Sequence, residues 1–131
     1  MVSSPSVREK PTGPGAAALR CAGIADLSVS QLTVIVTSPL ARCSGSVNPD
    51  DWFPVAVRPE RARTEAAGAL ALCAACPVRA QCLELSMRVW HAGGKYGVWG
   101  GLIAADRAEA HRRWQAGVPV SALLEAERGS G

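Results

Sequence analysis

The chain has 131 residues, which suffice for one small domain with tails, and only 5% of them are aromatic, which limits the core that it can build. A formal net charge of only +3 permits a nucleic-acid partner but does not by itself indicate one. No run approaches the roughly 18 apolar residues of a membrane span, so we expect no membrane anchor, no signal peptide and a cytosolic, reducing location for the cysteines.

The N-terminal part of the chain carries the weakest structural signal. Residues 1–15 mix Ser, Pro, Gly and charges without apolar periodicity, a composition typical of a disordered tail. Residues 32–37 are β-branched enough for a strand, but nothing else in the chain offers it a partner, which favours a poorly ordered leader or a short helix. We therefore predict a poorly ordered leader over residues 1–38, in which the isolated Cys21 is a bystander, and order from about Pro39.

The remainder of the chain predicts an all-α fold. A polar turn around Asn48 leads into the aromatic pair Trp52 and Phe53, which we expect to cap a small core. Helices are predicted over residues 59–76, from Pro77 to before Gly93, and over residues 103–115. The predicted domain spans residues 39–116, and residues 117–131 form a tail with at most a short, weak helix.

Three of the five cysteines lie between positions 73 and 82. A straight helix turns by about 100° per residue, so Cys73 and Cys76 lie nearly on one face while Cys82 points to the opposite side. Pro77 breaks the helix, because it disfavours helical geometry at Cys76 and is well suited to begin a new helix. The stretch therefore predicts helix, corner, helix, and the free N–H groups of the corner are expected to favour thiolates at Cys76 and Cys82.

A fourth cysteine, Cys43, completes the pattern Cys-x29-Cys-x2-Cys-x5-Cys, a possible four-thiolate site for zinc or an iron-sulfur cluster. Structural zinc favours two close pairs of ligands, so three clustered cysteines with one distant cysteine favour the iron-sulfur cluster. A structural zinc module that presents an interaction surface remains an alternative. A dithiol reductase that uses Cys73 and Cys76 is another, although the βαβ context of such enzymes is missing. Buried or incidental thiols are a further interpretation, made improbable by three cysteines around one proline.

Three glycines surround Trp99 in the segment Gly97-Val98-Trp99-Gly100-Gly101. This pattern predicts a tight turn with positive φ angles, whose indole lies at the tip or folds inward. An exposed Trp on a rigid turn is typical of a protein interface, and a core Trp that closes over the cysteine site is the alternative.

The cysteine spacing, the segment Asp50-Asp51-Trp52-Phe53-Pro54 and the glycine segment with its following polar helix together resemble the WhiB-like regulators of actinobacteria, over about residues 39–114. The resemblance implies a role in transcription rather than catalysis. It also implies a [4Fe-4S] cluster that responds to oxygen or nitric oxide and an apo form that oxidises to disulfides. The implied ligands are Cys43, Cys73, Cys76 and Cys82. The glycine segment, residues 97–101, would dock on the C-terminal domain of the principal sigma factor of RNA polymerase, with Trp99 as the anchor.

The resemblance further implies a basic region after the glycine segment that contacts promoter DNA, and here the sequence departs from the family. Residues 102–131 contain four arginines and four carboxylates, so this segment is formally neutral, whereas phosphate binding needs an excess of basic charge. Only Arg112 and Arg113 form a basic cluster, and a solvated helix face is the simpler interpretation of them. Contact through the sigma factor is therefore favoured over direct DNA binding.

Overall fold

The computed structural model describes residues 23–45 and 49–130. The named elements of secondary structure within these residues are all helical, which confirms the all-α prediction. The α-helices are α1 (Val29–Val36), α2 (Pro59–Glu65), α3 (Ala67–Ala74), α4 (Arg79–Arg88), α5 (Ala104–Gln115) and α6 (Val120–Ser130). Short 3-10 turns cover Ile24–Asp26, Arg42–Gly45, Pro49–Trp52 and Trp90–Ala92. Cys21, the first part of the predicted leader and the polar turn at Asn48 lie outside the described residues.

Helix α1 belongs to the packed part of the protein. Its first turn is a capping box, in which Ser28 Oγ accepts the Gln31 N–H at 3.1 Å and Gln31 Oε1 accepts the Ser28 N–H at 2.9 Å. Leu32 and Ile35 lie on its inner face and have no exposed surface. Of the two alternatives for this segment, a poorly ordered leader or a short helix, residues 29–36 form the helix, and packed structure begins before Pro39.

The core consists of three hydrophobic clusters. The first cluster joins α1 to the beginning and middle of α4 and contains Leu27, Leu32, Ile35, Ala41, Val78 and Leu85. The second cluster joins α2 and α3 to the beginning of α5 and contains Ala62, Ala66, Ala69, Cys73, Val98 and Ile103. The third cluster joins α4, α5 and α6 and contains Leu83, Met87, Leu102, Ala110, Val120 and Leu123. Each cluster takes at least one side chain from the segment of residues 98–102, which therefore lies where the three clusters meet.

The helix predicted over residues 59–76 is two helices, because Ala66 leaves helical geometry with φ −94° and ψ 10° and separates α2 from α3. The predicted inner face is nevertheless confirmed, since Ala62, Ala66, Ala69 and Cys73 are all buried. The axes of α3 and α4 differ by 115°, which confirms the helix, corner, helix interpretation. Among the described residues no single helix is long and apolar enough to cross a membrane, although the bent pair α3 and α4 reaches that length and hydropathy together.

At the edges of the domain, the structure differs from the expectation at Phe53 and extends it at the C-terminus. Trp52 packs against the second cluster, whereas Phe53 lines the cysteine cavity and remains 63% exposed. The C-terminal segment carries a real helix, α6, whose Val120 and Leu123 are 3% and 4% exposed in the third cluster. Residues after 117 therefore include an integral part of the core and are more than a tail.

Candidate metal centre

The four candidate ligands line one cavity of about 560 Å³ between the first and second clusters. Cys73 lies in the last turn of α3, Cys76 in the corner, Cys82 in α4 and Cys43 in the 3-10 turn Arg42–Gly45. The cysteines are close enough to affect one another electrostatically, because negative charge on Cys43, Cys73 and Cys76 raises the pKa of Cys82. The structure thus brings together cysteines that are distant in the sequence.

The proline corner turns the chain so that the cysteines on either side of it face one cavity. Cys76 N–H donates to the Cys73 carbonyl at 3.0 Å, which closes the end of α3, and α4 begins two residues after Pro77. The backbone N–H of Arg42 donates to Cys76 Sγ at 3.4 Å. This bond holds the segment of the distant Cys43 against the corner, so all four candidate cysteines share one local framework.

The glycine turn, which we define as residues 97–101, closes the other side of the cavity. Trp99 and Leu102 exchange backbone hydrogen bonds of 3.3 and 3.1 Å around Gly100 and Gly101, whose φ angles are +59° and +83°. Two positive φ angles in succession are typical of a type I′ turn and explain the glycine pair. The positive φ angles predicted from the sequence are confirmed, including +71° at Gly97.

The turn also supplies backbone donors to the cysteines. The Gly101 N–H donates to Cys73 and the Gly100 N–H donates to Cys82, and both bonds lower the pKa of the thiol that accepts them. The sequence predicts free N–H groups at the corner near Cys76 and Cys82. The N–H of Cys82 itself is not one of them, because it donates to the Val78 carbonyl at 2.9 Å inside the helix.

Burial dominates the electrostatics of these thiols. Desolvation raises the pKa of Cys73 to about 11 and that of Cys82 to about 12, and it also raises the pKa of Cys43. The positive charge of Arg79, which lines the cavity, acts in the opposite direction on Cys73. Without a bound cation the buried thiols are therefore protonated at neutral pH, and a metal would have to displace these protons.

The spacing of the cysteines within the cavity bears on what they could hold. Among the described residues, no three side chains of His, Cys, Asp or Glu lie close enough to share a single metal ion. A tetrahedral zinc with Zn–S bonds of about 2.3 Å would hold its four sulfurs within about 4 Å of one another. In a four-iron cluster each thiolate binds a different iron, so the sulfurs stand farther apart. The donor set of four thiolates around one cavity fits an iron-sulfur cluster.

Trp99 is folded inward. Its side chain is partly buried, packs against the first cluster and lines the cavity, and its Nε1–H donates to the Tyr96 carbonyl at 2.8 Å. Beside the turn, Phe53 and Tyr96 expose 63% and 61% of their surfaces. The indole thus closes the cysteine site, and the neighbouring aromatic side chains form the exposed surface.

The two candidate DNA contacts lie outside this site. Arg112 and Arg113 are exposed on α5, do not line the cavity, and Arg112 forms an ion pair with Glu109. Their exposure agrees with the interpretation as a solvated helix face.

Two arginines that were not predicted from the sequence hold the turn. Arg79 Nε donates to the Gly100 carbonyl at 2.8 Å, and Arg107 is completely buried beneath residues 94–102. A signal for Arg107 was present, because it shares one helical stripe with Ile103 and Ala110 on α5. An arginine in an apolar stripe indicates a buried cation with a specific partner.

The fold and the site together define a small helical domain that gathers four cysteines in one cavity against a glycine turn. The family model for transcription factor WhiB matches residues 39–110, which is more than half of the chain. The chain therefore belongs to the WhiB family of transcription factors. Comparisons with curated proteins and with solved structures returned no match.

Proposed function

We propose that this WhiB-family transcription factor holds a [4Fe-4S] cluster on Cys43, Cys73, Cys76 and Cys82 and regulates transcription in response to oxygen or nitric oxide. The observation that carries the proposal is that all four cysteines line one cavity, to which the glycine turn directs two backbone N–H groups. Membership of the family supports the transcriptional role and, with it, a cytoplasmic location and a protein that is not an enzyme.

The chain's own residues determine how such a site would behave. The N–H groups of Gly100 and Gly101 offset negative charge on two sulfurs, and the apolar walls made by Val78, Val98 and Trp99 exclude water. When bound, the cluster supplies a centre with which oxygen and nitric oxide react. Cys43 is exposed, so these small molecules reach the site from its side. After cluster loss, pairs of these thiols form disulfides as two protons and two electrons pass to oxygen.

The surface around the glycine turn is the proposed docking site for the C-terminal domain of the principal sigma factor. Phe53 and Tyr96 supply exposed aromatic area, and Trp99 anchors the turn from the cavity side. Because Trp99 lines the cavity, a change in the centre is transmitted to this surface. Promoter DNA is then reached through the sigma factor, with Arg112 and Arg113 as the only candidates for direct contact in the exposed part of α5.

Anaerobic purification, followed by a visible spectrum and measurement of iron, sulfide and zinc, tests the cofactor. We expect a broad absorption near 400 nm and about four iron atoms per chain. Cys76→Ser should abolish this absorption, while Cys21→Ser, the same chemical change at the cysteine outside the proposed set, should leave it intact. Colourless wild-type protein with one tightly held zinc would replace the proposal by a structural zinc module.

The dithiol-reductase alternative is disfavoured by the chemistry of the cavity. A reactive dithiol needs a thiolate near neutral pH, whereas burial raises the pKa of Cys73 to about 11. An insulin reduction assay on the apo protein checks this, and turnover that depends on Cys73 and Cys76 would favour the reductase.

A further inference from the structure

Arg107 is the most deeply buried charged side chain among the described residues, with no exposed surface. Its guanidinium donates three hydrogen bonds to backbone carbonyls on both sides of the glycine turn. The acceptors are Gly94 at 3.1 Å from Nε, Leu102 at 2.8 Å from Nη1 and Tyr96 at 3.1 Å from Nη2. The planar guanidinium, whose N–H groups form a fork, therefore links the segment before the turn to the segment after it.

The charge of Arg107 has no carboxylate partner in the described part of the chain. Burial lowers its pKa to about 10, so the guanidinium remains positive at neutral pH. The titratable group that acts on it is Cys82, because negative charge on that sulfur would raise the pKa of Arg107. A buried cation without a counter-charge is strongly unfavourable, and a centre bound by ionised cysteines would supply that counter-charge.

The same residue controls the donors that reach the sulfurs. The Gly100 and Gly101 N–H groups that bond Cys82 and Cys73 lie between the carbonyls of Tyr96 and Leu102 that Arg107 holds. Arg79, which lines the cavity, donates to the Gly100 carbonyl, so the two arginines together bond carbonyls within the turn and on both sides of it.

We propose that Arg107 is a positioning residue of the cluster site, which fixes the glycine turn so that its N–H groups point at Cys73 and Cys82 and which supplies buried positive charge against the anionic cluster. This inference rests on the proposed function, because a cluster with four thiolates carries net negative charge. Removing a group of this kind outside the ligand set typically weakens metal binding by about 10- to 100-fold.

The test compares Arg107→Gln and Arg107→Lys with the wild-type protein, all loaded with cluster, by potentiometric titration and by the rate of cluster loss to a chelator. Arg107→Gln removes the charge, so at a fixed potential the ratio of reduced to oxidised cluster should fall by about tenfold. Cluster loss should accelerate by about 10- to 100-fold. Arg107→Lys keeps the charge but lacks the fork, so its potential should stay near the wild-type value while cluster loss still accelerates. Arg61→Gln, which removes an exposed charge from α2, is the matched control and should change neither quantity.

Each result decides a part of the inference. A wild-type potential in Arg107→Gln, or equal shifts in Arg107→Gln and Arg107→Lys, would overturn the role of the charge. Wild-type cluster loss in Arg107→Lys would overturn the role of the fork. If Arg107→Gln does not fold, Arg107→Met, which also removes the charge, takes its place in the test of the charge. Wild-type protein that accepts no cluster would instead refute the proposed function, which separates that failure from a failure of the inference.

Discussion

At the scale of single residues, Gly100 is a position of the turn that has no room for a side chain. A Cβ atom there would lie 2.8 Å from Leu83 Cβ, on a backbone with φ +59°. Gly100→Ala should therefore lower the free energy of unfolding of the apo protein by about 2–5 kcal/mol, through strained backbone and overlap with α4. Urea denaturation measures this loss. Gly93→Ala has a positive φ of +116° but nothing within 4 Å, so it should cost only about 1–2 kcal/mol. Equal losses in the two variants would show that the contact with α4 is unimportant.

His111 makes stability depend on pH. Its ring stacks between Trp90 and Trp114, with ring centroids 4.1 and 5.7 Å away, and burial lowers its pKa below the ordinary value. Below about pH 6.5 the unfolded chain therefore binds a proton that the folded chain resists, so the free energy of unfolding should fall as the pH falls. Urea denaturation between pH 7.5 and pH 5.5 measures this slope. His111→Phe preserves an aromatic ring and should reduce the slope, and an unchanged slope would assign the effect to other groups.

At the scale of elements, α1 tests whether the N-terminal segment is part of the domain. Leu32 is completely buried in the first cluster, whereas Val34, two residues later, is 42% exposed. Leu32→Ala should destabilise the protein by about 2–5 kcal/mol because it leaves a cavity against α4, and Val34→Ala should cost less than about 1 kcal/mol. Thermal unfolding of the two variants provides the comparison. Similar unfolding temperatures would mean that α1 is dispensable, as a leader would be.

The elements also show what the sequence can and cannot predict. The corner at Pro77 and the turn at Gly100 were predicted because proline and glycine act on their own backbone, whatever surrounds them. The segment around Leu32 was ambiguous, since β-branched residues there fit either a strand or a helix and only contact with α4 decides. The exposure of Phe53 and the burial of Arg107 depend entirely on tertiary contacts, so composition alone gave the wrong or no answer.

At the scale of the whole molecule, α6 completes the third cluster. Ending the chain at Gly117 would remove Val120 and Leu123 and uncover Leu83 and Met87 on α4. Each buried aliphatic side chain that is lost costs about 1.5–3 kcal/mol, so the shortened protein should unfold at lower temperature and bind a hydrophobic dye. Thermal unfolding and dye fluorescence measure both effects. A shortened chain with unchanged stability and no dye binding would restore the interpretation of this segment as a tail.

The cysteine cavity couples the first and second clusters, because its walls include Ala41 and Val78 from the first and Cys73 and Val98 from the second. A centre bound there would link the first and second clusters through the cysteines, and its removal should loosen the glycine turn between these clusters. Hydrogen exchange of the loaded and chelator-treated protein tests this coupling. The amides of the glycine turn should exchange faster after removal, while those of α6, which packs in the third cluster, should change little. Equal exchange throughout would mean that the turn is held by its arginines and hydrophobic contacts alone, and the centre would then have no route to the proposed docking surface.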